Sequence, residues 1–397
     1  MGEAPVRVAQ VITRMILGGA QESTLYVCQA LRETGRWEPI LITGPPIGPE
    51  GELLTEAERR GVPYHVVPQM RRQINPWRDW QAFTHLTALL RKLRPTIVHT
   101  HSSKAGILGR FAGHVARVPL VLHTIRGLPF HPYAPACQNA VFILAERLAD
   151  LVTDHFTCVA HAMIDGAMAV GIGPRERFTV IRSGIETAAY EGAERHRERV
   201  RQRYGFDPDD VVIGKIARLF DLKGHRFLLK AAPQIVEACP HAKFLFVGEG
   251  ILREELLATA ERLGVRDRLV LSGLVPPTEI PAMISAMDLL VHASLREGLA
   301  RVLIQALLME RPVVTFALDG APEVIIDGET GRLVEPESAS GLADAVVWTV
   351  RNYYRAVQMA REGKRRFAEQ FSIRAAARDT ERLYNRLLSE RLRVRRR

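Results

Sequence analysis

Short runs of β-branched and aliphatic residues alternate with longer stretches of helical periodicity, and the alternation starts twice. In the first half the runs are VRVAQVI (6–12), PILIT (39–43), YHVVP (64–68), TIVHTH (96–101), LVLHTI (120–125), HFTCVA (155–160) and FTVIRS (178–183). Stretches such as AQESTLYVCQALRE (20–33) and WRDWQAFTHLTALLRKL (77–93) read as helices between them. The pattern restarts with VVIGKIARL (211–219) and continues through KFLFVG (243–248), LVLSG (269–273), DLLVHAS (288–294) and PVVTFAL (312–318). In HRFLLKAAPQIVEAC (225–239), Leu228, Leu229, Ala232, Ile235 and Val236 share one face at helical spacing. Strands that are apolar almost throughout and separated by helices are covered on both faces, which indicates parallel sheets. A chain of 397 residues exceeds one ordinary core. The expectation is an α/β protein of two doubly wound domains, 1–185 and 190–373, joined near residues 184–190, with helix from about Ala339 onward. Ligands of such folds bind at loops leading from strand to helix, here in a cleft between the carboxyl ends of two sheets.

Composition narrows the classes. No apolar run reaches the length of a membrane-spanning helix, and AVFILA (140–145) falls far short. MGEAPVRVAQVI enters the first strand pattern directly and does not read as a signal peptide, so a cytoplasmic protein is expected. Cys28, Cys137, Cys158 and Cys239 form no CxxC pair and sit in apolar segments, so they read as buried free thiols. The net charge of +10 is concentrated in RLRVRRR (391–397), in Lys364, Arg365 and Arg366, and in Arg71 and Arg72. These clusters suit a solvated surface, or attraction to anionic lipid or an anionic acceptor. Nucleic acid fits poorly, because no aromatic residues interleave with them.

Unusual residues fall on the strand-to-helix loops. In HASLREGLARVLIQALLMERPVV (292–314), the pattern predicts a helix opening at Glu297 and Gly298. The amides of Gly298 and Leu299 would then be free to bind an anion such as a diphosphate. Gln305, about 10 Å farther along the axis, would lie at a ribose's distance. Glu297 would accept hydrogen bonds from sugar hydroxyls, or would simply be a carboxylate stabilised by the helix dipole. In IARLFDLKGH (216–225), Arg218 is expected to end a strand and Lys223 to start a helix. Two cations at a helix N-terminus are unfavourable unless an anion joins them. Gly18 and Gly19 would let a backbone approach a ligand and take positive φ, but their spacing is not GxGxxG, so a nicotinamide site is not supported.

Together these loops resemble the retaining glycosyltransferases of family 4, with the GT-B architecture, over nearly the whole chain. The segments that carry the likeness are GGAQ (18–21), HTHSSKAGILGRFAG (99–113), HTIRGLPFH (123–131), ARLFDLKGH (217–225), VGEG (247–250) and EGLARVLIQAL (297–307). Within that family the chain most resembles the branch that builds bacterial surface polysaccharides. The resemblance implies that a final helix, about 374–397, crosses back to the N-terminal domain, and that no cofactor or divalent metal is used. It assigns the donor diphosphate to Arg218 and Lys223, with Gly19 approaching from the N-terminal domain and Gly298 and Leu299 capping the phosphate. Glu297 would face the transferred sugar, and Gly248, Leu274 and Val275 would frame the nucleotide. Gln305 stands where a second Glu is usual; its amide still bonds ribose hydroxyls but carries no charge. Arg126 stands where His is usual, and would serve as a fixed cation for the leaving diphosphate, not as a base. Lys104 would reach a donor or acceptor phosphate, and Ser102 and Ser103 would cap the helix that follows. His99 and His101 share a strand face that suits metal ligands, without a third ligand. His123 should point to the opposite face from Arg126.

The implied reaction is metal-independent transfer from a UDP- or GDP-sugar to a glycan or lipid-linked acceptor, with an anionic membrane surface as a partner where the acceptor is lipid-linked. No carboxylate pair like a retaining glycosidase's stands out; the resemblance implies retention by front-face attack, with the leaving diphosphate helping to take the acceptor's proton. The alternatives are a nucleotide-sugar 2-epimerase and a non-catalytic nucleotide-sugar-binding protein of the same architecture.

Overall fold

The computed structural model describes residues 4–48 and 51–395. The chain divides into two compact units: the part up to Ile185 together with the segment from Ser372, and the stretch from Glu186 to Phe371.

The first unit contains β1 (Val6–Arg14), β2 (Trp37–Gly44), β3 (Tyr64–Val66), β4 (Ile97–His101), β5 (Leu120–Ile125), β6 (His155–Cys158) and β7 (Phe178–Val180). They form one sheet in the order β3-β2-β1-β4-β5-β6-β7, with every pairing parallel. Alternate residues of the central strands feed two cores. Ala9, Val11, Ile42 and Val98 pack against Ala82, Leu86 and Leu90 of the helix Pro76–Leu93 and Ala105 and Ala112 of the helix Ser103–Val115. Val8, Ile97, Leu120 and Leu122 pack on the other face with Leu31 of the helix Gly19–Glu33 and Leu383, Tyr384 and Leu387 of the helix Ile373–Arg395.

Local chemistry sets the helix starts. Asn75 caps the helix Pro76–Leu93, its side chain accepting from Arg78 N–H, with Pro at the first position. Ser102 does not cap its helix as expected. It turns its hydroxyl toward β1, 2.7 Å from Thr13 Oγ1, and Thr13 Oγ1 instead accepts Ala105 N–H at 3.1 Å. That helix sits close on the sheet: a Cβ at Gly106 would lie 2.5 Å from His123 Cε1.

The terminal helix is bound to this unit by polar contacts as well as packing. Tyr384 OH accepts from Gln10 Nε2 and lies 2.7 Å from His99 Nδ1, while Trp37 Nε1 donates to Glu381. Trp37 and Tyr384 meet edge to face at 5.2 Å.

The second unit contains β8 (Val211–Ile216), β9 (Ala242–Val247), β10 (Leu269–Leu271), β11 (Leu289–His292), β12 (Val313–Phe316) and β13 (Arg332–Val334), in the order β10-β9-β8-β11-β12-β13, again all parallel. β13, whose sequence is RLV, was not anticipated. The core lies between this sheet and the helices His225–Ala238 and Ala339–Arg351. The polar stretch after Ile185 forms short 3-10 turns and the helix Arg197–Arg203.

Cys28, Cys158 and Cys239 are buried free thiols, but Cys137 is exposed. It lies on the helix Ala136–Asp150 on the same outward stripe as Val141, Leu144 and Leu148, which are also exposed, so an apolar context there does not mean burial.

Candidate active site

The strand order reverses between β1 and β4 in the first sheet, and between β8 and β11 in the second. Loops leaving neighbouring strands at such a point run to opposite faces and open a crevice at the carboxyl edge.

In the second unit, the loop after β8 and the loop after β11 hold the charged residues. β8 ends at Ile216, two residues earlier than the sequence suggested, so Arg218 lies on the loop, exposed, with its guanidinium 5.0 Å from the Phe220 ring centroid. A 3-10 turn, Asp221–Lys223, leads into the helix His225–Ala238. Gly224 between them has φ 67°, and a Cβ there would sit 1.7 Å from Ala293 O. Only glycine allows the two loops to meet so closely.

That approach brings Lys223 Nζ onto Glu297 Oε1 as an ion pair. The Glu297 N–H donates to Asp319 Oδ2 at 2.7 Å, and His292 Nε2 lies 3.7 Å from its carboxylate. Burial acts to raise the Glu297 carboxyl, but Lys223 outweighs it and holds the group below its ordinary range. Asp319 shifts upward, because burial and the Glu297 charge outweigh its bond from Glu297 N–H. The expectation that Lys223 needs an outside anion is therefore corrected: Glu297 already supplies one.

A second correction concerns the helix. It runs from Arg301 to Leu308, so Gly298 and Leu299 precede it. The cause is a turn 22 residues away: Asp319 takes the Glu297 amide, and Gly320 N–H donates to Gly298 O at 3.0 Å. Gln305, half-buried, lies about one turn into the helix instead of two. Asp319 and Gly320 were missed, although Asp-Gly after a strand is a turn signal.

Gly248 follows β9, with φ 142° and a built Cβ 2.2 Å from Ala217 O; its N–H donates to Gly273 O. Val275 is buried beyond that bridge and Leu274 is 51% exposed. Gly248, Leu274 and Val275 thus belong to the same edge of the sheet as Arg218.

In the first unit, Gly18 is extended (φ 172°) and Gly19 opens the helix, so neither uses positive φ as expected. Arg126 follows β5 and donates to Thr24 Oγ1 at 2.9 Å and Ser183 Oγ at 3.0 Å, which fixes it to the helix that Gly19 begins. Lys104, expected to reach a phosphate, is held by a carboxylate of its own unit. Its ammonium sits 2.7 and 2.9 Å from the two Asp79 oxygens and also donates to Gln73 O.

His99 and His101 stack at 4.7 Å; both nitrogens of His99 are engaged, by Tyr384 and Thr124, and His101 Nε2 is engaged by Gln10. His123 lies on the other face, against Thr100 and Gly106. Burial holds all three well below the ordinary imidazole range. No group of three metal-ligating side chains occurs among the described residues. One Asp-x-Asp triplet, Asp207 to Asp209, lies in the turn before β8, at the opposite edge of the sheet from Lys223.

Comparison with known proteins places both units. Residues 18–184 match the glycosyl transferase 4-like domain, and residues 196–366 match the glycosyl transferases group 1 family. The chain is 26% identical over 345 residues to UDP-Gal:alpha-D-GlcNAc-diphosphoundecaprenol alpha-1,3-galactosyltransferase of Escherichia coli, covering 86% of this chain and 87% of that protein. It is 24% identical to the capsular polysaccharide biosynthesis glycosyltransferase CapM of Staphylococcus aureus, covering 82% and 86%. Among solved structures, Anabaena Alr3699/HepE in complex with UDP-glucose superposes with a TM-score of 0.82 at 21% identity, covering 96% of this chain and 99% of that one. With a transferase domain matched on each of two parallel, doubly wound sheets, the chain belongs to the group 1 glycosyltransferases of GT-B fold.

Proposed function

We propose that this glycosyltransferase is a retaining, metal-independent enzyme that moves a hexose from a UDP- or GDP-sugar to a glycan or lipid-linked acceptor. The observation that carries this reading is the pairing of Lys223 with Glu297 at the switch point of the second sheet, beside the exposed Arg218. Lys223 and Arg218 are suited to the donor diphosphate, and Glu297 to the sugar hydroxyls. Gly298 and Leu299 would approach the phosphate, Gln305 the ribose, and Gly248, Leu274 and Val275 the base. Gly18, Gly19 and Arg126 would act from the first unit, with Arg126 stabilising the departing diphosphate. The E. coli relative is named for a UDP-galactose donor and a diphosphoundecaprenol-linked acceptor, and the Anabaena protein binds UDP-glucose, which supports the donor class.

Donor turnover with and without acceptor tests the reading. A transferase consumes donor only with acceptor, whereas an epimerase needs none and a binding protein turns over nothing. Transfer should persist in excess EDTA. Loss of activity on chelation, restored by magnesium or manganese, would overturn the metal-independent assignment.

A lipid-linked acceptor would bring the protein to an anionic membrane surface. No helix among the described residues is long and apolar enough to cross a membrane. Residues 71–151 carry eleven Lys or Arg and three Asp or Glu. All three acids are already ion-paired: Asp79 to Lys104, Glu146 to Arg110 and Asp150 to Arg177. Exposed apolar residues accompany these cations, among them Ile74, Trp77, Trp80, Leu144 and Leu151. Exposed Trp and Leu beside exposed cations such as Arg71, Arg72 and Lys92 suit an anionic bilayer. The basic tail is a second contributor. It continues the last helix to Arg395, and Arg391 pairs with Asp154 at 3.3 Å; Arg396 and Arg397 lie outside the described residues. Co-sedimentation with anionic vesicles should fall in high salt, on deletion of 391–397, and on replacing Trp77 and Trp80 by Ala, with activity on a soluble acceptor nearly unchanged. Salt-insensitive binding would remove the electrostatic role.

A further inference from the structure

Lys215 is the penultimate residue of β8, and its side chain is wholly buried. Its Nζ has no hydrogen-bond partner among the described residues. Such a group is among the most destabilising that an interior can hold, and a methionine would fill the same space without that cost. Its surroundings are particular. The register sets Lys215 opposite Phe246 of β9, whose ring meets that of His225 at 5.3 Å. The charged groups acting on it are Lys223, on the loop before that histidine, and Glu297, on the loop after β11. His225 and His292 complete the cluster; Lys215 acts on both, and His292 also lies against Glu297.

Among the described residues the carboxylate acting on Lys215 is that of Glu297, and it is held by Lys223. On the reading above, on which this inference rests, Lys223 turns to the donor diphosphate and Glu297 to the sugar. A single ammonium cannot fully neutralise both. We infer that Lys215 is a positioning residue that takes over as the counter-cation of Glu297 when the donor binds, as one proton passes from solvent to the Nζ lone pair. No other bond is made or broken in this step.

The electrostatics agree with the geometry. Burial first, and then repulsion from Lys223, push the Lys215 ammonium down to about 7, against the pull of Glu297. When Lys223 moves to phosphate, the repulsion falls and the carboxylate remains, so the proton affinity rises. Above pH 7 the free protein holds Nζ largely neutral and the complex holds it protonated, so binding takes up a proton. Below pH 6 both states are already protonated and the uptake disappears. His225 and His292, pushed by burial to about 2 and about 3, stay neutral throughout and do not contribute.

The test is calorimetric titration of the full-length protein with UDP and with GDP at pH 8, where the ligand phosphates are already ionised, in buffers of different ionisation enthalpy. Wild type should take up about half a proton to one proton per nucleotide bound at pH 8; toward pH 6 the uptake by Lys215 disappears and only the release from the ligand's terminal phosphate, with its pKa of about 6, remains. Lys215→Met should abolish the uptake, and lower kcat about tenfold or more with the donor KM within about threefold. Should Lys215→Met fail to fold, the wild-type proton count and its pH dependence decide alone. Nucleotide binding without proton uptake at pH 8, or Lys215→Met with wild-type kcat, overturns the inference while leaving the proposed function standing. A wild type that binds neither UDP nor GDP overturns both.

Discussion

Replacing Glu297 by Ala should lower sugar transfer about a hundredfold or more, while free UDP or GDP binds at least as tightly as to wild type. A carboxylate that bonds two sugar hydroxyls loses two charge-assisted contacts, each about 1.5–3 kcal/mol. Those contacts concern the sugar and leave the nucleotide alone. The ion pair sharpens the expectation. In the free protein Glu297 occupies the Lys223 ammonium, so it competes with any phosphate for that cation. Its removal releases Lys223, which is why affinity for the bare nucleotide should hold or improve. Transfer assays beside calorimetry make the check. A parallel loss of transfer and nucleotide affinity would give the Glu297 side chain a purely structural role, through its ion pair with Lys223.

Lys223→Ala should weaken nucleoside-diphosphate binding at least tenfold in a protein that remains folded. Loss of one charge-assisted contact accounts for about 1.5–3 kcal/mol. The variant also leaves Glu297 without its cation, so a carboxylate faces the incoming phosphates. The two effects have the same sign, and the double variant with Glu297→Ala should be far from additive. The side chain of Lys223 is 23% exposed, so the fold should tolerate its truncation. Unchanged affinity in a folded variant would remove Lys223 from the donor site.

Why these two residues were legible in the sequence, and others were not, follows from the range of the forces involved. Lys223 and Glu297 each follow a strongly apolar run, and in a parallel sheet the carboxyl ends of neighbouring central strands are necessarily close. The twelve strands that were anticipated carry the same local signal. The misplaced helix start at Glu297 has a distant cause, since the Asp319 carboxylate and Gly320 amide hold that backbone from another loop. Lys104 reads as a free cation until Asp79, 25 residues earlier, is seen to hold it. Ser102 looks like a cap because serine usually caps, yet Thr13, on another strand, has that part. Lys215 reads as a polar interruption of an apolar strand, and only the packed sheet shows that its ammonium stays inside. In each case a side chain's partner is set by tertiary proximity, which periodicity does not encode.

The chain leaves the first unit at Ile185 and rejoins it at Ser372, and these two residues bridge in parallel. During synthesis on the ribosome, the seven strands of the first sheet emerge well before the helix that carries Tyr384. Until then, Gln10 and His99 lack their phenol partner, and the Trp37 ring lacks its edge-to-face neighbour. The second unit is one unbroken stretch and can close its own core in the meantime. The sheet that is made first is therefore finished last, and a released chain ending at residue 371 would combine a complete second unit with a first unit still open on one face.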